Sequence, residues 1–158
     1  MRRSGMLNRP RYLTEYHMLR TECGATTPAA WLFDAEDPVA VTLAIGVASK
    51  PVHWTMSREL LAAGMCRTRL RPAGDGDVQV HARLGVLDND QPDLRGVRRP
   101  ILVVDLMPPE GSVRLFLDGL IARIFLRRTY EFLPKRREDR IVARQIAAAE
   151  DRFRQVQS

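Results

Sequence analysis

A chain of 158 residues, 45% of them hydrophobic, can bury one core but is too short for two independent domains. Its two cysteines, Cys23 and Cys66, form no CxxC pair and stand near no histidine cluster, which argues against a disulfide framework or a structural zinc site. A formal charge of +6 points toward acidic partners, while the absence of a secretory pattern and of any apolar run near the ~20 residues of a membrane span leads us to expect a cytoplasmic protein.

Residues 12–20 mix apolar and polar side chains without helical period, and Trp31, Leu32 and Phe33 form a short apolar run, so two strands are predicted before the turn at residues 34–38. Asp34, Glu36 and Asp37 precede Pro38, where aspartate supports local backbone hydrogen bonds, so they are read as turn residues and not as a catalytic acid pair. Val39, Val41, Leu43 and Ile45 then alternate with Ala40, Thr42 and Ala44, the pattern of a central strand covered on both faces. Val52, Trp54 and Met56 alternate with His53 and Thr55, which predicts a strand with Trp54 on its core side.

Ser57 stands at an N-cap position, predicting a short helix over residues 58–63, with Gly64 at a left-handed terminus. Cys66, Thr68 and Leu70, then Val78, Val80, Ala82 and Leu84, read as the two strands of a hairpin closed by residues 72–77. If the register aligns, Arg67, Arg69, Arg71 and Arg83 share one face of it. A polar loop over residues 88–100 leads to a strand at residues 101–106.

Val113, Phe116, Leu117, Leu120, Ile121, Ile124 and Phe125 fit a helical period and predict a helix over residues 112–128. Pro134 opens a second helix, in which Val142, Ile146, Ala149, Phe153 and Val156 recur at spacings of four, three, four and three, a narrow seam suited to one neighbouring helix. Arg136, Arg137, Arg140 and Arg144 crowd its first turns, where they oppose the helix dipole, and are expected to steer an acidic partner. The element order predicts an α+β fold of antiparallel β-sheets with packed helices.

No chemistry-bearing motif emerges. His17, His53 and His81 lie at no ligand spacing, Ser57 has no nucleophile elbow around it, and the glycines at 74 and 76 join strands instead of opening a helix. Neither catalysis nor a cofactor is expected.

Residues 33–41 (FDAEDPVAV), 54–64 (WTMSRELLAAG) and 76–80 (GDVQV) resemble, in that order, conserved blocks of the SsgA-like sporulation and cell-division proteins of actinomycetes. Pro109-Glu110-Gly111, read as the opening of a helix that closes with Phe125-Leu126-Arg127-Arg128-Thr129, completes the resemblance. It implies a whirly-like single domain of two β-sheet modules, each followed by a helix, and a homotrimer. Its boundaries are a basic extension at 1–11, the SsgA-like domain at 12–134 and a C-terminal helix at 135–158.

The resemblance also implies a non-enzymatic adaptor for septum placement or peptidoglycan remodelling, associated with the septum. Its partners would be division-machinery proteins such as the tubulin-like FtsZ or a membrane-bound recruiter. The second reading is a single-stranded nucleic-acid-binding regulator on the same fold, using Arg67, Arg69, Arg71 and Arg83. Such platforms normally stack bases on aromatic side chains, and none interleaves with these arginines in the sequence.

Overall fold

The computed structural model describes residues 12–46, 49–66, 71–74, 76–87 and 96–156. Two antiparallel meanders make up the sheet. The first runs β1 (Tyr12–Thr21), β2 (Thr26–Asp34), β3 (Ala40–Ile45) and β4 (Val52–Ser57), and leads into helix α1 (Arg58–Gly64). The second runs β5 (Val78–Val86), β6 (Arg98–Leu106) and β7 (Val113–Asp118), and leads into α2 (Gly119–Phe132), followed by α3 (Lys135–Val156).

The two expected modules are joined edge to edge in one seven-stranded sheet of order β4-β3-β2-β1-β7-β6-β5. The joint is thin: Arg20 and Thr21 of β1 meet Phe116 and Leu115 of β7. The sheet curls about one core, to which the first meander gives Trp31, Leu43 and Met56 and the second gives Val80, Leu102, Val104 and Leu117. Helix α2 closes the underside of the joint, stacking Phe125 on Trp31, which in turn stacks on His17, at 5.9 and 6.1 Å.

Several expectations are corrected. The helix expected over 112–128 divides into β7 and α2, and Pro109-Glu110-Gly111 forms a turn ahead of a strand. Leu115 and Leu117 alternate with Arg114 and Phe116, so this segment satisfies a two-residue period as well, and pairing with β6 and β1 selects the strand. Asp118 then caps α2, accepting from the amides of Leu120 and Ile121. The following Gly119 is required because a Cβ there would lie 2.9 Å from the Pro100 carbonyl oxygen.

Ser57 caps α1 as expected, its hydroxyl accepting from the Leu60 amide at 3.0 Å. Gly64, by contrast, is the last helical residue and has no positive φ. It is small because a Cβ would lie 2.3 Å from Val80.

Trp54 is only partly buried at the margin of the core and its neighbour Val52 is exposed; the tryptophan at the centre is Trp31. The β3 strand lies between β2 and β4 but is second from the edge. β5 pairs along its whole length with β6, and of the hairpin expected ahead of it the described residues show the Ala73–Val80 bridge. Residues 67–70 lie outside the described residues.

Candidate functional site

Alternation along a strand sends every second side chain away from the core, and the pairing register assembles these into an outer face. In the first meander one row reads Thr14, Leu32, Thr42 and Thr55, the next Tyr16, Ala30, Ala44 and His53, and a third begins with Met18 and Pro28. No side chain in these rows is a carboxylate, lysine or arginine. Ala30 and Ala44 form the floor of a shallow groove between Tyr16 and His53, with Pro28, Leu32 and Pro51 along its walls. Tyr16 is 80% exposed and Met18 41%.

The pattern that predicted β3 to be covered on both faces is therefore half satisfied within the subunit. Val41 and Leu43 are buried in the core, whereas Ala40, Thr42 and Ala44 lie on the outer side. Thr42 and Thr55 share a hydroxyl hydrogen bond of 3.1 Å across the pair. Carboxylates appear at the end of this face, where Asp34 accepts from the Glu36 amide at 2.9 Å and lines a depression with Asp37. This is the turn chemistry expected of them.

Across β1 the same outer face changes character. Its rows there read Arg20, Phe116, Val103 and His81; Asp118, Ile101 and Arg83; and Arg114, Asp105 and Gln79. Arg114 makes two hydrogen bonds to Asp105, at 2.7 and 3.1 Å, and Arg99 reaches Asp118 at 2.8 Å. The Arg83 guanidinium lies 5.0 Å from the centre of the Phe116 ring. Burial, assisted by Arg114 and Arg83, outweighs Asp105 and holds the His81 pKa below its usual value.

Of the arginines singled out in the sequence, Arg67 and Arg69 fall outside the described residues, and Arg71 is exposed ahead of the Ala73–Val80 bridge. Arg83 is on the outer face of β5, and an aromatic does accompany it: Phe116, two strands away. That neighbour was invisible locally because 33 residues separate the two in sequence.

In α3 the arginines and the seam are both present but on opposite sides. At about 3.6 residues per turn, Val142, Ile146, Ala149, Phe153 and Val156 line one face while Arg136, Arg137, Arg140 and Arg144 lie on the back. All four arginines are exposed. Val142 is half-buried, whereas Ile146, Phe153 and Val156 are 54%, 67% and 86% exposed.

Sequence reasoning missed Arg58, which is fully buried at the start of α1. It donates to the carbonyls of Thr129 and Leu133 at 3.1 and 2.9 Å and forms an ion pair with Glu138 in the first turn of α3. Its guanidinium also lies 4.3 Å from the Tyr130 ring centre and 5.1 Å from that of Phe33. Lys135 adds bonds to Glu138 and Glu59, at 2.8 and 2.6 Å, that raise its own pKa. Burial would raise the Glu138 pKa, but its bonds to Lys135 and Arg58 win and hold the carboxyl low.

This cluster fastens α3 to the body. An arginine in the first helical turn, where the dipole disfavours it, was the available signal for a tertiary partner. Among the described residues no group of histidine, cysteine and carboxylate side chains could hold a metal ion. No helix there is long and apolar enough to cross a membrane.

The family model for the Streptomyces sporulation and cell division protein SsgA matches residues 27–138, a span that ends on Glu138. The sporulation-specific cell division protein SsgB of Kineococcus radiotolerans is 34% identical over 117 residues, covering 74% of this chain and 63%, less than two thirds, of that protein. Its counterpart in Frankia casuarinae is 33% identical over 122 residues, covering 75% of each. A solved SsgB structure, from work on longitudinal cell division during sporulation of Streptomyces coelicolor, superposes with a TM-score of 0.67 at 28% identity, covering 82% of this chain and 94% of that one. An SsgA-like sporulation-specific cell division protein from Thermobifida fusca gives 0.65 at 26%, covering 89% and 95%.

Proposed function

The chain belongs to the SsgA family of sporulation and cell division proteins, and from that premise we propose that it is a non-enzymatic adaptor in septum placement that holds a protein of the division machinery against the outer face of β1–β4. The observation that carries this reading is the uncharged surface around Ala30 and Ala44, in a chain of which 28% is charged. Exposed apolar ground of this kind is where proteins bind proteins. The partner would be FtsZ or a membrane-bound recruiter, engaged by a homotrimer at the septum.

Tyr16→Glu is the direct test, because at 80% exposure the side chain contributes little to the core. A fluorescent fusion in an actinomycete host should lose its septal localisation with this change, and septation should fail while the purified variant keeps its melting temperature. Undisturbed localisation and septation would refute the assignment of this face.

A second reading, a regulator that binds single-stranded nucleic acid, draws on Arg83 over Phe116 beside Arg20 in one depression. A charged groove with an aromatic is the element such platforms need. Salt-dependent binding of an oligonucleotide, lost on Arg83→Glu and retained in Tyr16→Glu, would favour it over the adaptor.

A further inference from the structure

Residues 1–11 lie outside the described residues, and Tyr12, which follows them, is 60% exposed and lines a depression with Asp34 and Asp37 at one end of the outer face of β1–β4. This depression runs into the groove floored by Ala30 and Ala44, since Leu32 and His53 line both. Moving inward from Tyr12, the face is therefore acidic first and apolar next.

The segment 1–11 carries the complementary order. Counting back from Tyr12, it has Arg11 and Arg9, then Leu7 and Met6, with Arg3 and Arg2 beyond, and it contains no carboxylate. Pro10 suits the second position of a four-residue reversal over residues 9–12. The row of Tyr16 and Ala30 lies four positions along β1 from Tyr12, about 14 Å away at roughly 3.4 Å per residue. Five residues of extended chain span up to about 17 Å, so Leu7 reaches that row.

We propose that residues 1–11 fold back over the outer face of their own subunit, with Arg9 and Arg11 against Asp34, Glu36 and Asp37 and with Met6 and Leu7 in the groove over Ala30 and Ala44. A foreign basic segment would meet the same carboxylates, but a tail rooted at Tyr12 is present at an effective concentration on the order of millimolar and wins against a free competitor of equal affinity. Exposed ion pairs contribute little each, so the tail is held loosely and the body scarcely depends on it for stability. The consequence rests on the reading that a division protein binds this face. The tail is then a built-in competitor: the partner binds only the uncovered fraction of molecules, which lowers its apparent affinity accordingly.

The test uses the full-length protein with Cys23→Ser and Cys66→Ser, since both native thiols are exposed. Leu7→Cys combined with Ala30→Cys, which puts a thiol on the groove floor, should form a disulfide within one chain under mild oxidation. Arg9→Glu with Arg11→Glu should slow that cross-link more than fivefold, and adding Glu36→Arg with Asp37→Arg should restore it. The proposal fails if no disulfide forms, or if the disulfide links two chains, since the tail then serves a second copy. It fails equally if the charge reversals leave the rate unchanged or the swapped pair does not restore it. None of these readouts involves the division partner. A failed cross-link beside lost septal localisation in Tyr16→Glu removes the tail and keeps the partner face, whereas a cross-link beside normal localisation in Tyr16→Glu keeps the tail and removes the partner.

Discussion

The two halves of the outer face have the same backbone architecture and opposite chemistry. In the rows of β2–β4 between their ends the outward positions are alanine, threonine, leucine, proline and histidine; on β5–β7 they are arginine, aspartate, glutamine and histidine around Ile101, Val103 and Phe116. The charged half satisfies itself: Arg114 pairs with Asp105, Arg99 with Asp118, and Arg83 lies over Phe116, shielding a small apolar cluster of Leu87, Ile101 and Val103. The uncharged half does not, and Tyr16 and Met18 are left in water. A face that satisfies itself can stand in solvent, whereas one that stays apolar without cover marks a surface that works by being covered.

The contrast holds only if both halves rest on one underside, and the largest effects are expected there. Glu138→Ala should cost about 3–5 kcal/mol, because it leaves Arg58 charged, buried and short of its carboxylate. Replacing both partners with apolar residues should recover most of that loss in denaturant titrations. A cost under about 1 kcal/mol for Glu138→Ala would mean that α3 is not clamped as described.

Next, Trp31→Ala should cost about 3–5 kcal/mol and Trp54→Ala about 1–2, since only Trp31 is wholly enclosed. Equal losses would restore Trp54 to the centre of the core and undo the assignment of faces in the first meander.

A pH effect should follow from His17, whose pKa burial lowers against the opposing pull of Glu15 and Asp118. The unfolded chain then binds the proton more tightly than the folded one. Stability is therefore complete above the ordinary histidine pKa of about 6.5 and declines as the pH falls below it. His17→Phe should flatten that decline in thermal melts between about pH 6.5 and 5, apart from a residual part from His81, whose pKa is also lowered. An unchanged slope would show that His17 is not held neutral between Trp31 and its surroundings.

The smallest effects belong to the outer face itself. Asp105→Asn removes a pair whose arginine is nearly half exposed and should cost no more than ~1 kcal/mol. Tyr16→Glu should change stability by about 0.5 kcal/mol or less. A large loss from Tyr16→Glu in the isolated protein would mean that this face is already covered within the folded assembly.

Much of the first meander was legible because its turns and caps are local chemistry. Asp34 supports its own turn, Ser57 caps α1, and the strict alternation of β3 leaves one reading. The seam of α3 was legible for the same reason, since four-three spacing is a property of one helix. Residues 113–118 were not, because Val113, Phe116 and Leu117 fit a helix and Val113, Leu115 and Leu117 fit a strand, and only the open edges of β6 and β1 decide between them.

The candidate site was still less visible. Tyr16, Ala30, Ala44 and His53 become one row only through a register written across four strands, and Arg83 meets Phe116 only because β6 lies between their strands. By itself the sequence determined the α+β class, the family resemblance and those elements, such as β3, the α1 cap and α3, that rest on interactions between residues a few positions apart. The tertiary structure decided which faces are covered, that Arg58 and Glu138 are a buried pair 80 residues apart, and that the arginines of α3 lie opposite its seam. Burial and partner choice are properties of surfaces, and these surfaces exist only once distant strands have paired.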